Sequence, residues 1–261
     1  MIFPESIAKL VGNSDYTTDN IGLSDSTVLH FGDCFLKIEP TGANADNEQI
    51  MTAWLSGKIP VPEILAFERQ DGYNYLLTAA VPGRMLCSAD LLSDGDRLLK
   101  LLAEAFDILR SVDVSDCPVS ASVEHKLRLA EQRVAGGLCS TEDAEPDTYG
   151  PGGFRSPEHL LRWLMDNRPE ERMQLTHGDF CLPNIFSDGR HITGFIDLGR
   201  SGAADMYVDL ALSVRSLRHN LDGTYSSVSY PSVDPRRLYS LLGISPDEDL
   251  MRYYLLLDEL F

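Results

Sequence analysis

Three residues in one short stretch have side chains suited to moving a phosphoryl group. Asp179 and Asn184 lie within His177-Gly178-Asp179-Phe180-Cys181-Leu182-Pro183-Asn184, and Asp197 opens Asp197-Leu198-Gly199-Arg200 thirteen residues after the Asn. A carboxylate can hold and orient an attacking hydroxyl, while an amide and a second carboxylate offer the hard oxygens that Mg²⁺ prefers. Between Asn184 and Asp197, two short apolar runs flank Asp188-Gly189, the pattern of a β-hairpin. The spacing therefore predicts two Asp and one Asn at the mouths of paired strands. His177 reads as a brace for the loop rather than as an acid or base.

Phosphoryl transfer also requires a cation on the nucleotide phosphates. Lys37 is the candidate, because it interrupts an otherwise apolar strand, Phe35-Leu36-Lys37-Ile38, and Glu48 in the following helix can hold its ammonium. The chain has no G-x-x-x-x-G-K-[ST], which excludes a P-loop enzyme, and no G-x-G-x-x-G. The turn Gly22-Leu23-Ser24-Asp25-Ser26 would have to cover the phosphates with small residues and hydroxyls instead. The Asp-to-Asn spacing matches the kinase catalytic loop, with Gly178 where Arg is usual, and Asp197-Leu198-Gly199 stands where D-F-G would.

The elements that must position these residues fall into two textures. Residues 1 to 82 read as mostly strand with one helix: hairpins turn at Gly32-Asp33 and at Asp71-Gly72, and Asn47 to Leu55 has helical spacing between them. From residue 83 to 261 long helical periods dominate. Leu98, Leu102, Ala105, Phe106, Leu109 and Val112 repeat behind a Ser93-x-x-Asp96 start, and Leu160, Leu161 and Leu164 follow a Ser156-Pro157 cap. Segments around Val123 to Val134, Leu210 to Leu217 and Arg252 to Leu260 read as helices too. The expected architecture is α+β and bilobal, an antiparallel sheet lobe with one helix followed by a mostly helical lobe. A Gly-rich acidic stretch from Gly136 to Gly153 interrupts the helices and reads either as a flap or as a solvated surface loop.

Composition narrows the partners. The 261 residues carry 22 basic and 40 acidic side chains, a net charge of −18, which opposes binding to nucleic acid and favours a cationic small molecule. No apolar run approaches the roughly 18 residues of a membrane span, and the first residues lack a secretory layout, so a cytoplasmic protein is expected. The five Cys are scattered without a zinc or CxxC spacing and read as free thiols.

Taken together, these motifs resemble the aminoglycoside phosphotransferases, specifically the 3′-phosphotransferases that give resistance to kanamycin and neomycin, a branch of the protein-kinase-like fold. The likeness runs through Leu36-Lys37, Trp54-Leu55 to Pro60-Val61-Pro62, Phe67-Glu68-Arg69, Asp116-Cys117-Pro118, the His177 to Asn184 loop, Ile196 to Gly202, and Leu257-Asp258-Glu259-Leu260-Phe261. It implies transfer of the ATP γ-phosphoryl to a drug hydroxyl. Asp179 would be the catalytic base, Lys37 with Glu48 the phosphate-binding pair, and Asn184 with Asp197 the Mg²⁺ ligands. The resemblance further implies adenine stacking on Phe35, main-chain bonds at Ala79 and Val81, and phosphate contact from Ser24. Drug amino groups would meet Asp258, Glu259, the carboxylate of Phe261 and, as a group, the flap acids Glu142, Asp143, Glu145 and Asp147. Arg200 and Arg215 fall on the same substrate side. The competing expectation is a kinase of the same fold acting on choline, homoserine or a sugar amine.

Overall fold

The computed structural model describes residues 3–12, 14–19, 26–142, 144–231 and 233–261. Its first part is an antiparallel sheet of five strands, β1 (Thr17–Asp19), β2 (Thr27–His30), β3 (Cys34–Pro40), β4 (Ile64–Gln70) and β5 (Tyr73–Ala79), in the order β1-β2-β3-β5-β4. Both hairpins form where expected. The β4–β5 turn places Asp71 and Gly72 at φ 52° and 81°, the two left-handed residues that a tight hairpin turn requires. Period-two alternation in β3 sends Leu36 and Ile38 into the apolar core on one face of the sheet, which leaves Phe35 and Lys37 on the other.

Two helices accompany this sheet. Helix α1 (Glu5–Val11), too short to stand out in the sequence, inserts Ile7 and Val11 into the small core with Leu29, Phe31 and Leu77. Helix α2 (Ala43–Leu55) is the expected one, begun four residues earlier than its apolar spacing suggested because the chain enters from extended Gly42. Met51 and Leu55 of α2 belong to the large core of the second part, not to the small one.

The second part holds two-residue β6 (Arg84–Met85), helices α3 (Ala89–Leu92), α4 (Gly95–Arg110), α5 (Val123–Ala135) and α6 (Pro157–Asp166), and strands β7 (Met173–Thr176), β8 (Ile185–Ser187), β9 (Ile192–Phe195) and β10 (Gly202–Asp205). Helices α7 (Tyr207–Asp222), α8 (Arg236–Leu242) and α9 (Glu248–Asp258) complete it. Ser156 caps α6 as read, accepting from the His159 amide. The helix expected to start at Ser93 starts instead at Gly95, capped by Asp94, because Ser93 closes α3 with its hydroxyl on the Ala89 carbonyl. The hairpin β8–β9 lies beside β6, while β7 pairs with β10 as a separate ribbon. All five Cys are free, and among the described residues no helix is long and apolar enough to cross a membrane.

Candidate active site

The loops His177–Asn184 and Asp197–Arg200, expected to serve catalysis and a metal ion and named the catalytic and metal loops on that expectation, are laced to each other before any ligand is considered. His177 donates from Nε2 to the Ile196 carbonyl at 2.8 Å and accepts the Asp179 amide at Nδ1, 3.3 Å away, so both ring nitrogens are spent on the main chain. Its expected role as a brace is the one it plays. The Ile196 amide in turn donates to the Asn184 carbonyl at 3.0 Å. Asp179, Asn184 and Asp197 therefore share one frame, set by the strand ends of β7, β8 and β9.

Beneath that frame sits a residue that sequence reasoning missed. Asp209 of α7, 1% exposed, accepts the His177 amide at 2.7 Å and the Gly178 amide at 2.8 Å, one on each carboxylate oxygen. Burial pushes its pKa above the ordinary carboxylate value, and these amides together with nearby His177 pull it back only in part. Nothing local in α7 marks it, since an acid in the first turn of a helix is common.

Gly178 explains why this loop departs from the kinase pattern. It holds φ 81°, and a Cβ built on it would land on the Arg200 main chain, so a side chain there would push the metal loop away. Gly178→Ala is expected to lower kcat by roughly 10²-fold through misplacement of Asp197 against Asp179. A variant that turns over at the wild-type rate would show that the close approach does not matter.

Asn184 donates from Nδ2 to the Asp179 carbonyl at 2.9 Å and to Asp179 Oδ2 at 3.0 Å, and its Oδ1 has no hydrogen bond among the described residues. Cys181 donates its thiol to Asp179 Oδ1 at 3.1 Å; burial first, then Asp179, pushes that thiol well above its usual range, so it is no nucleophile. Lys37 reaches Glu48 at 2.6 Å and Asp197 at 2.8 Å, with Glu39 at 3.8 Å. Despite the cost of its own desolvation, Lys37 is held above the ordinary lysine range by these three carboxylates, Glu48 first. Asp197, at φ 60°, is also desolvated, yet the Lys37 ammonium holds it below the usual carboxylate range. The Asn47 amide bonds both the Gly199 and Ser201 carbonyls at 2.9 Å, fastening α2 to the metal loop.

At the nucleotide end, the Ala79 amide is spent on the Glu63 carbonyl at 2.9 Å and the Ala80 amide on Asp33 at 2.8 Å. The Val81 amide has no main-chain bond among the described residues. Phe35 stacks on His30 with ring centroids 4.4 Å apart. Ser24 lies outside the described residues.

On the opposite side an acidic cluster forms around α9. Asp258 is gripped by Arg215 and by Arg200, the latter at 3.2 Å, and Glu259 lies 3.9 Å from Arg215. Against its own desolvation, Arg215 and then Arg200 hold the Asp258 carboxyl below the usual range. Its contribution to stability is then complete above the unfolded carboxylate value of about 3.9 and disappears as pH falls through the lower folded value. Asp258→Asn should therefore melt below wild type at pH 7, with the gap closing as pH drops from about 4 towards 3. A gap independent of pH would contradict the ion-pair account. Of the flap acids, Glu145 joins the cluster, its amide donating to Glu259 at 3.3 Å and its carboxylate facing Arg218 and His219 at 3.4 Å. Glu142 and Asp147 are exposed, the Glu142 amide donating to the Ser140 hydroxyl at 3.2 Å, and Asp143 lies outside the described residues. Phe261 packs its ring 5.8 Å from both the Arg133 and Arg200 guanidinium carbons.

This arrangement meets known proteins over nearly its whole length. The signature of the Phosphotransferase enzyme family matches residues 15–234. An aminoglycoside 3′-phosphotransferase from Niallia circulans is 36% identical over 268 residues, spanning 99% of this chain and 97% of the relative. The chain belongs to the aminoglycoside 3′-phosphotransferase family. A second member, from Enterococcus faecalis, is 35% identical over 99% of this chain and 90% of its own. Among solved structures, an aminoglycoside-3′-phosphotransferase of type VIII superposes with TM-score 0.79 at 28% identity, covering 98% of each chain. The aminoglycoside phosphotransferase APH(3″)-Id of Streptomyces rimosus, solved with ADP and streptomycin, covers 98% of this chain and 96% of its own at TM-score 0.78 and 26% identity. The expected kinase-like α+β fold is thus the fold of the family.

Proposed function

We propose that the protein transfers the γ-phosphoryl of ATP to the 3′-hydroxyl of kanamycin- and neomycin-type aminoglycosides and so confers resistance to them in the cytoplasm, where ATP is supplied. The observation that carries this reading is the place of Asp179. It shares one frame with Asp197, whose carboxylate meets Lys37 at 2.8 Å on the nucleotide side, while Arg200 of the metal loop reaches Asp258 of the acidic cluster at 3.2 Å.

The nucleotide-binding lobe, residues 1–82, is read as holding adenine on Phe35 with the Ala79 carbonyl and Val81 amide at its edge, and the phosphates on Lys37. Glu48 keeps Lys37 extended across the cleft. Among the described residues no cluster of three or more His, Cys, Asp or Glu could hold a metal alone. That fits Mg²⁺, which ordinarily takes one or two protein oxygens and fills its shell with phosphates and water. Asn184 Oδ1 and the Asp197 carboxylate would hold it, and when bound it supplies neutralising charge along the phosphates.

The lobe of residues 83–261 then binds the drug. Asp258, Glu259 and Glu145 supply acceptors for its ammonium groups, with Glu142 and Asp147 of the flap adding negative charge. Arg200 and Arg215 set the orientation of Asp258 rather than meeting cationic groups themselves. Asp179 accepts a hydrogen bond from the 3′-hydroxyl and aims its lone pair at the γ-phosphorus; the loops contribute mainly position. The deciding experiment scores ADP release with aminoglycosides that carry or lack the 3′-hydroxyl. Turnover of kanamycin and none of its 3′-deoxy analogue is expected. Equal turnover of both would overturn the regiochemistry, and turnover of choline or homoserine in place of kanamycin would overturn the substrate class.

A further inference from the structure

The acidic cluster at the end of α9 brings like charges together. Glu145 and Glu259 lie close enough for the Glu145 amide to donate to a Glu259 carboxylate oxygen at 3.3 Å, and Asp258 is the next residue back. Carboxylates on facing segments repel, so the stretch that carries Glu145 and the residues after α9 tend to part before a cationic ligand arrives. A fastener that paired with one of these acids would remove an acceptor from the site. One that grips the main chain leaves every acceptor in place.

Arg133, in the last turn of α5, has that form. Its Nε donates to the Leu260 carbonyl at 2.8 Å, and its Nη2 donates to the Phe261 main-chain oxygen at 2.8 Å and to the Leu138 carbonyl at 3.0 Å. Among the described residues its side-chain hydrogen bonds go to main-chain oxygens alone. The Cys139 thiol adds a second donor to the Leu260 carbonyl, at 3.4 Å. Local structure prepares both sides of this junction. Gly137, at φ 65°, turns the chain back over the end of α5, so the Leu138 amide meets the Arg133 carbonyl at 2.9 Å and the Leu138 carbonyl comes within reach of the guanidinium. On the other side, carbonyls at and beyond a helix end have no intrahelical donor and need one from elsewhere, while the Leu260 side chain, fully buried, anchors that end in the core.

We propose that Arg133 is a positioning residue of the drug site. It joins α5, the base of the acidic stretch at Leu138 and the residues after α9, and so presents Glu145 and Glu259 together to the ammonium groups of one ligand, a role that rests on reading this cluster as the place where the aminoglycoside binds. The sign of its effect sets it apart from a plain charge. A guanidinium beside the site of a polycation opposes binding through charge, so its removal tightens binding where charge is what counts and weakens it where position is.

The test has two arms, both on the full chain. In the first, hydrogen exchange without any ligand compares wild type with Arg133→Met; the amides of residues 138–142, of Glu145 and of residues 257–261 are expected to exchange about ten-fold faster together, while those of α4 keep their rates. In the second, titration with kanamycin should show binding about ten-fold weaker in Arg133→Met, with KM for kanamycin raised in step and kcat and KM for ATP within about two-fold of wild type. Arg133→Lys keeps the charge but loses the planar fork that spans three oxygens, so it should weaken binding by a smaller factor, and it decides by the same readouts if Arg133→Met does not fold. Exchange unchanged in either segment, kanamycin bound as tightly as or more tightly than by wild type, or a loss of kcat and ATP affinity as large as the loss of kanamycin binding would each overturn the role. Wild-type protein that binds no kanamycin would instead overturn the reading of the substrate, and the exchange arm would still decide whether Arg133 holds the two segments together.

Discussion

Replacing Asp179 by Ala is expected to lower kcat with kanamycin by roughly 10²- to 10⁴-fold, the range seen when a positioned acid or base is removed, while ATP still binds. The two halves of that expectation have separate structural grounds. Asp179 holds no contact with Lys37, Glu48 or Phe35; its carboxylate is fixed from the other side, by Asn184 on Oδ2 and Cys181 on Oδ1. Loss of the carboxylate therefore removes the acceptor for the attacking hydroxyl and leaves the phosphate-binding pair whole. Isothermal titration with ATP and a coupled ADP assay read the two halves independently. Turnover within a few fold of wild type would sink the assigned role, and loss of ATP binding would mean that Asn184, released from Asp179, no longer holds its place.

The largest effect on stability should come from Asp209, a residue that touches neither reactant. Asp209→Ala strips the acceptor from two buried amides, those of His177 and Gly178, and each donor left unpaired costs about 1–3 kcal/mol. Against a total stability of about 5–15 kcal/mol, that is a large share, and Tm should fall by at least about 5 °C. Activity should fall with it at temperatures where the variant is still folded, because the amides that lose their anchor flank Asp179. Asp209→Asn is the sharper variant: it preserves volume but turns an NH₂ group towards one of the two amides. A Tm unchanged in both variants would mean that water reaches these donors.

How far this could be read in advance varies with the range of the interaction. The loop from His177 to Asn184 and the hairpin to Asp197 announce themselves because every constraint on them is local, a turn residue here and an apolar alternation there. Lys37 was legible for the same reason, as one polar residue on the cleft side of an apolar strand. Asp209 was not, since its partners lie 31 and 32 residues away and its own helix gives it no unusual neighbours. Helix α1 escaped because one turn and a half carries too little periodicity to separate from a loop. The sequence presents Asp258 as an open carboxylate. In the folded chain it already holds two guanidinium groups, whose partners come from the metal loop and from α7. A drug ammonium must accordingly be accommodated around an occupied carboxylate, beside Glu259 and Glu145, which are less tightly held, at 3.9 Å from Arg215 and 3.4 Å from Arg218.

Helix α2 has been described as the carrier of Glu48, but its attachments say more about how such an enzyme is governed. Many signalling kinases switch off by swinging the equivalent helix outwards and parting its Glu from the Lys. Here the swing would break both bonds from Asn47 to the metal loop and pull Met51 and Leu55, each 0% exposed, out of the large core. The off state available to those kinases is closed to this chain by its own packing. The Lys37–Glu48 pair, 2.6 Å apart, is thus held by the same packing that builds the large core.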